Sequence, residues 1–134
     1  MQEINHESYI SLEVAKLLKE ASFDWKQYSF YKSKGILMNG AFAANWNNIC
    51  YMDGGYGSKV SAPTLEVAQR WLREVKNISV DISSTCYSKW EYVIRKINQL
   101  DHKDNTILVL TACGFYTYEE TKEAGIKKAL ELIF

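Results

Sequence analysis

Residues 78–97 read ISVDISSTCYSKWEYVIRKI, and the fold turns on them. Ile78, Val80 and Ile82 alternate with Ser79, Asp81 and Ser83; after the polar STCYS, Trp90, Tyr92 and Ile94 alternate with Glu91, Val93 and Arg95. Alternation with period two sends successive side chains to opposite faces, so each half predicts a strand with one face in a core. The short polar link predicts an antiparallel hairpin. Downstream, DHKDN (101–105) marks a turn, and the unbroken apolar run of ILVLTAC (107–113) predicts a strand central in the sheet. TYEETKEAGIKKALELIF (117–134) then predicts a closing helix, with Thr117 and Glu120 in capping-box spacing and Tyr118, Ile126, Ala129, Leu130 and Ile133 facing inward. Gly125 inside that helix costs about 1 kcal/mol relative to alanine, which predicts a close approach by a neighbouring backbone or side chain.

Upstream of the hairpin, SAPT (61–64) predicts a helix start, with Ser61 or Thr64 as cap and Pro63 in the first turn, ending near Lys76 or Asn77. Leu65, Ala68, Trp71, Leu72 and Val75 form its apolar face, opposite Glu66, Arg70 and Arg73. WKQYSFYKSKGILM (25–38) predicts a second hairpin, and SLEVAKLLKEA (11–21) a capped helix with Ile10, Val14, Leu17, Leu18 and Ala21 on its inner face. Residues 1–9 read as a loose arm, and 39–62, rich in Asn and Gly, as a long loop holding at most a short strand near Asn47 to Met52. The order α-β-β-loop-α-β-β-β-α lacks the alternation of a doubly wound fold. It predicts one α+β domain over 1–134: a small, mainly antiparallel sheet with about three helices packed mostly on one face. LEVA occurs at 12–15 and 65–68, but the inner stripe of the first helix leaves Leu12 and Ala15 outside it, so the echo reads as coincidence.

Bulk properties exclude several classes of function. Sixteen basic residues balance sixteen acidic ones, which argues against double-stranded nucleic acid or an anionic membrane as partner. No apolar run reaches the ~18 residues of a membrane span. Cys50, Cys86 and Cys113 are odd in number and widely spaced, which predicts reduced thiols and a cytoplasmic protein. Aromatic residues make up 13% of the chain. With zero net charge they favour self-association, and a homodimer is the expected state.

The glycines at 54, 55 and 57 ahead of a helix raise the question of a phosphate loop. A P-loop requires G-x-x-x-x-G-K-[ST], whose successive amides curl around the phosphates; here the spacing is too short and Lys59 precedes valine. The dinucleotide pattern fails for want of a third glycine at the right distance. The reading that remains is a surface loop feeding a capped helix, with a generic anion site at the helix start as the alternative. Cys113 follows a strand, as nucleophiles often do, yet its only imidazole partners are His6 and His102, and free cysteine is usually buried, so a structural role is expected. No pair of His and Cys stands at i,i+3 or i,i+4, so neither a metal nor a cofactor is expected. Glu119 and Glu120 are accounted for by the helix dipole.

One constellation mixes stacking faces with positive charge: Trp46, Tyr51 and Tyr56 in the long loop, Lys59 beside it, and Arg70 and Arg73 on the exposed face of the second helix. Such groups suit single strands, a small nucleotide-like ligand, or the aromatic and acidic residues of a protein partner, which the resemblance given below implies to be a host or phage protein. Three functions therefore stand open. They are a non-catalytic binding protein, a nucleotide sponge or reader using residues 54–64, and a cysteine-dependent hydrolase.

The blocks SLEVAKLLKE (11–20), SAPTLEVAQRWLREVKNISVDI (61–82) and TYEETKEAGIKKALELI (117–133) resemble those of small proteins of gut Bacteroides and of their phages and prophages. The resemblance spans the first helix and most of the chain from Ser61 onward; residues 24–59 have no counterpart in it. That family carries no established activity. The resemblance thus implies a host and a phage or prophage origin, and assigns no functional residue.

Overall fold

The structure, a computed structural model, describes residues 8–32, 35–48, 59–85, 87–98 and 105–133. The fold is α+β, with three helices and antiparallel strands as expected, but the strands form two three-stranded sheets rather than one. The chain divides into two compact units, Met1–Thr64 and Leu65–Phe134, each with its own sheet.

In the first unit, α1 (Leu12–Glu20) begins where the Ser11 hydroxyl accepts a hydrogen bond from the Val14 amide at 3.3 Å. β1 (Gln27–Tyr31) is the central strand, pairing antiparallel with β2 (Leu37–Ala44) and with β3 (Val60–Ser61). The Tyr31 hydroxyl donates to the Ile10 carbonyl at 2.5 Å, tying β1 to the segment before α1. Tyr9, in the segment read as a loose arm, forms an isolated antiparallel bridge with Thr64, while residues 1–7 lie outside the described residues.

β2 runs on to Ala44, so the stretch 39–62 starts as strand and not as loop. Asn39 and Gly40 resemble loop residues in composition, but Gly40 is set by packing. A Cβ there would stand 2.9 Å from Cζ2 of Trp46, so the missing side chain makes room for the indole. Residues 46–48 form a turn where the short strand was expected to begin, and 49–58 lie outside the described residues. Ser61, read as a helix cap, is instead part of β3: its hydroxyl accepts from the Trp46 amide and its own amide donates to the Asn47 side chain.

In the second unit, α2 (Leu65–Val75) buries Leu65, Ala68, Trp71 and Leu72, while Val75 is exposed. β4 (Ile78–Ser84), β5 (Trp90–Asn98) and β6 (Asn105–Phe115) form an antiparallel meander in that order, and α3 (Tyr118–Leu132) packs on it. The expectation that ILVLTAC is central is overturned, since β5 takes the middle and β6 an edge. A run of apolar residues speaks to the two faces of a strand; it carries no information on whether both of its hydrogen-bonding edges are used.

Ile78, Val80, Tyr92 and Ile94 are buried on one face. The register places Ser79, Asp81, Ser83, Glu91 and Arg95 on the other, where Arg95 pairs with Asp81 at 2.8 Å. Such a half-solvated antiparallel sheet is what the alternation predicts. The approach expected at Gly125 is present: a Cβ there would meet Cγ1 of Val80 at 2.7 Å and the Tyr92 side chain at 3.1 Å.

The helical-phase argument against an internal repeat does not hold, because Ala15 is fully buried, as Ala68 is. Topology supplies a sounder one. The first strand after the helix is central in the first unit, whereas the second is central in the second unit. Among the described residues, no helix is long and apolar enough to cross a membrane.

Candidate functional site

The residues singled out from the sequence fall in different units. Trp46 is 3% exposed, its ring packed against Phe30 at 4.5 Å and Phe42 at 5.5 Å between centroids. Its indole N–H donates to the Gln27 carbonyl. Lys59 lies with it in the first unit, its ammonium 4.5 Å from the Phe30 ring centroid and 5.0 Å from that of Trp46. What this cluster shows to solvent is Phe42, with Tyr28 exposed on the neighbouring strand. Tyr51 and Tyr56 lie outside the described residues. Arg70 and Arg73 belong to the second unit, both exposed on α2, and Arg70 pairs with Glu74 at 3.1 Å.

In the segment ahead of α2 that reads as a helix start, the amides of Ser61 and Ala62 are engaged within the first unit, by the Asn47 side chain and by the Ser29 carbonyl. Residues 54–58 of the proposed nucleotide loop lie outside the described residues, as do Cys50, Cys86, His6 and His102. Cys113 is exposed, contrary to the buried structural role expected of it. β6 turns it outward, opposite Glu91 on the polar face of the sheet, so the general tendency of free thiols to be buried gives way to strand register. Among the described residues, no three His, Cys, Asp or Glu side chains are grouped so as to hold a metal ion.

A second cluster of aromatic groups lies at one end of the second sheet, and the sequence reading missed it. The turn between β4 and β5 presents Tyr87, and the link from β6 to α3 presents Tyr116; they are 82% and 74% exposed. The turn is closed by the Thr85 amide donating to the Lys89 carbonyl at 2.6 Å, with Ser88 in the left-handed region at φ 58°. Lys89 places its ammonium 5.5 Å from the Tyr116 ring centroid. Behind them, Trp90 and Phe115 are cross-strand partners, and Trp90 meets the ring of Tyr118 edge-on at 5.4 Å.

Tyr118 is held from inside the unit. Lys122, one turn further along α3, has a side chain only 1% exposed; its ammonium donates to the Tyr118 hydroxyl at 3.2 Å and pairs with the carboxylate of Glu66 on α2. Thr117, the residue after Tyr116, caps α3 by accepting from the Glu120 amide. The result is two exposed phenols and one cation at the end of the sheet where Trp90, Phe115 and Tyr118 are half-buried. A hint of it exists in the sequence: Tyr87 and Tyr116 stand in the turn segments STCYSK and GFYTYE, where strand alternation has ended and no core position demands an aromatic.

Tyr92, deeper in the same sheet, has its phenol pushed above its ordinary value by burial and, second, by the Glu131 carboxylate. The folded state therefore keeps a proton that the unfolded chain gives up from about pH 10. This contribution to stability is complete below that pH and is lost as pH rises through the higher folded value. Urea melts across the alkaline range should show stability falling less steeply in Tyr92→Phe; parallel curves would remove Tyr92 as the cause.

Comparison with protein-family models, with curated proteins and with solved structures returned no match for the chain.

Proposed function

We propose that this chain is a non-catalytic binding protein of phage or prophage origin that engages a host protein through the aromatic end of its second unit. One observation carries the reading: Tyr87 and Tyr116 stand largely exposed at the same end of one sheet, beside Lys89 and backed by Trp90. Tyr and Trp dominate the energetics of protein interfaces because each brings a large, rigid contact area with a polar tip, at little conformational cost. Lys89 selects for an acidic or aromatic counterpart. The origin rests on the three sequence blocks that resemble proteins of gut Bacteroides and their phages.

The test uses the full chain as bait in a lysate of such a host, against Tyr87→Ser/Tyr116→Ser. Exposed side chains can be replaced with little effect on the fold, so thermal unfolding should be unchanged while binding of the captured protein falls at least tenfold, about 1.4 kcal/mol. Capture that survives the double replacement sinks the proposal. If the replacement instead halves the mass of the protein in light scattering, the aromatic end serves self-association and the homodimer expected from composition takes its place.

A further inference from the structure

The opposite end of the second sheet holds a cavity of about 350 Å³, lined by Lys76, Ile78, Ile94, Lys96, Ala129 and Leu132, with Ile133 at its side. It is separate from the aromatic end. Ile78 pairs with Lys96 at one end of the β4–β5 ladder and Ser84 with Trp90 at the other, about 20 Å apart at ~3.3 Å per residue.

Two features give it the chemistry of a binding site. Its floor is apolar, with Ile78, Ile94 and Ala129 all buried residues. Among the described residues, two lysines and no carboxylate side chain line it. Lys96 is the more telling of the two. It continues the inward series Trp90, Tyr92, Ile94, and the register sets it opposite the buried Ile78, so a cation occupies a position where the strand pattern calls for an apolar side chain. Lys76 lies in the turn after α2, its ammonium 5.6 Å from the Trp71 ring centroid.

We infer that this cavity binds an amphipathic monoanion, an alkyl chain ending in a carboxylate, with the chain on the isoleucine and alanine floor and the head group between Lys76 and Lys96. The volume lies at the lower end of the ~300–1,000 Å³ range of small-molecule sites, which suits a medium-length chain rather than a long one or a phospholipid. Lysine stems can cover the chain while their ammonium groups stay at the surface beside the carboxylate.

Isothermal titration of the full chain with decanoate, below its micelle threshold, tests this. Binding should be saturable at one site and weaken about fourfold for each methylene removed, in octanoate and then hexanoate. Decyltrimethylammonium, with the same chain and the opposite charge, should bind at least tenfold more weakly. Lys76→Gln/Lys96→Gln, a change at the surface that leaves the core alone, should weaken decanoate binding at least tenfold, and Ala129→Leu should abolish it by filling the floor. Should Ala129→Leu fail to fold, the double lysine variant decides. No saturable binding, equal binding of the cationic analogue, or affinity unchanged in the lysine variant overturns the inference. So does lysine-dependent sedimentation with phosphatidylcholine–phosphatidylglycerol vesicles in the absence of binding to free decanoate, since the lysines would then serve a membrane surface.

Discussion

Glu66→Ala should unfold at a lower urea concentration than the parent chain, although Glu66 is 72% exposed and would ordinarily be replaced without effect. The loss originates at its partner. Lys122 is almost wholly buried, and among the described residues the other groups that meet its ammonium are the hydroxyl and ring of Tyr118, with no second carboxylate. Removing one member of a fully buried pair costs about 3–5 kcal/mol because the other is stranded. Here solvent reaches the carboxylate side, so about 1–3 kcal/mol is expected after allowance for screening. Lys122→Met, which keeps the stem and discards the charge, should stay within about 1 kcal/mol of the parent. In the double variant the Glu66 replacement should then cost almost nothing further. Additive losses across the cycle would show that the two residues act independently. The same cycle bears on function, since Lys122→Met frees the Tyr118 hydroxyl beneath Trp90 and should weaken partner binding without unfolding the chain.

Gly125→Ala is the second substitution expected to act strongly, and with the opposite sign to helix propensity. In an isolated helix the change stabilises by about 1 kcal/mol. In α3 the new methyl would stand 2.7 Å from Cγ1 of Val80 and 3.1 Å from Cβ and Cγ of Tyr92. Val80 could turn, but Cβ of Tyr92 is fixed to the backbone of the central strand and cannot. Overpacking of this kind costs about 1–3 kcal/mol, so a net loss of up to about 2 kcal/mol is expected in urea melts. Val80→Ala should reduce the penalty of the second change by removing the nearest atom. An increase in stability for Gly125→Ala would mean that α3 sits further from the sheet than described.

Local elements were legible in the sequence because their causes are local. Ser11 and Thr117 do cap α1 and α3, period two does mark β4 and β5, and the glycine inside α3 does face a close neighbour. What could not be read depends on pairings distant in sequence. Whether β6 or β5 takes the middle of the sheet, and whether β1–β3 join β4–β6 or form a sheet of their own, is decided by which hydrogen-bonding edges meet, and side-chain patterning does not encode edges. Trp46 illustrates the same limit within the candidate site. A tryptophan in an Asn-rich stretch reads as an exposed stacking group, yet the absence of a side chain at Gly40, six residues earlier, opens a place for it against Phe30. Conversely Tyr87 and Tyr116 carry no pattern that singles them out, and only their positions beyond the ends of the strands mark them as surface.

Strand register, which turns Cys113 out beside Glu91, reaches beyond the fold into how the protein must be handled. A thiol displayed on an open face is within reach of the same thiol on a second molecule whenever air is admitted, so a covalently linked pair will accumulate on the bench whatever the native assembly. Any mass taken as proof of a twofold particle has to be obtained under reductant, or from a Cys113→Ser chain, before it speaks to biology.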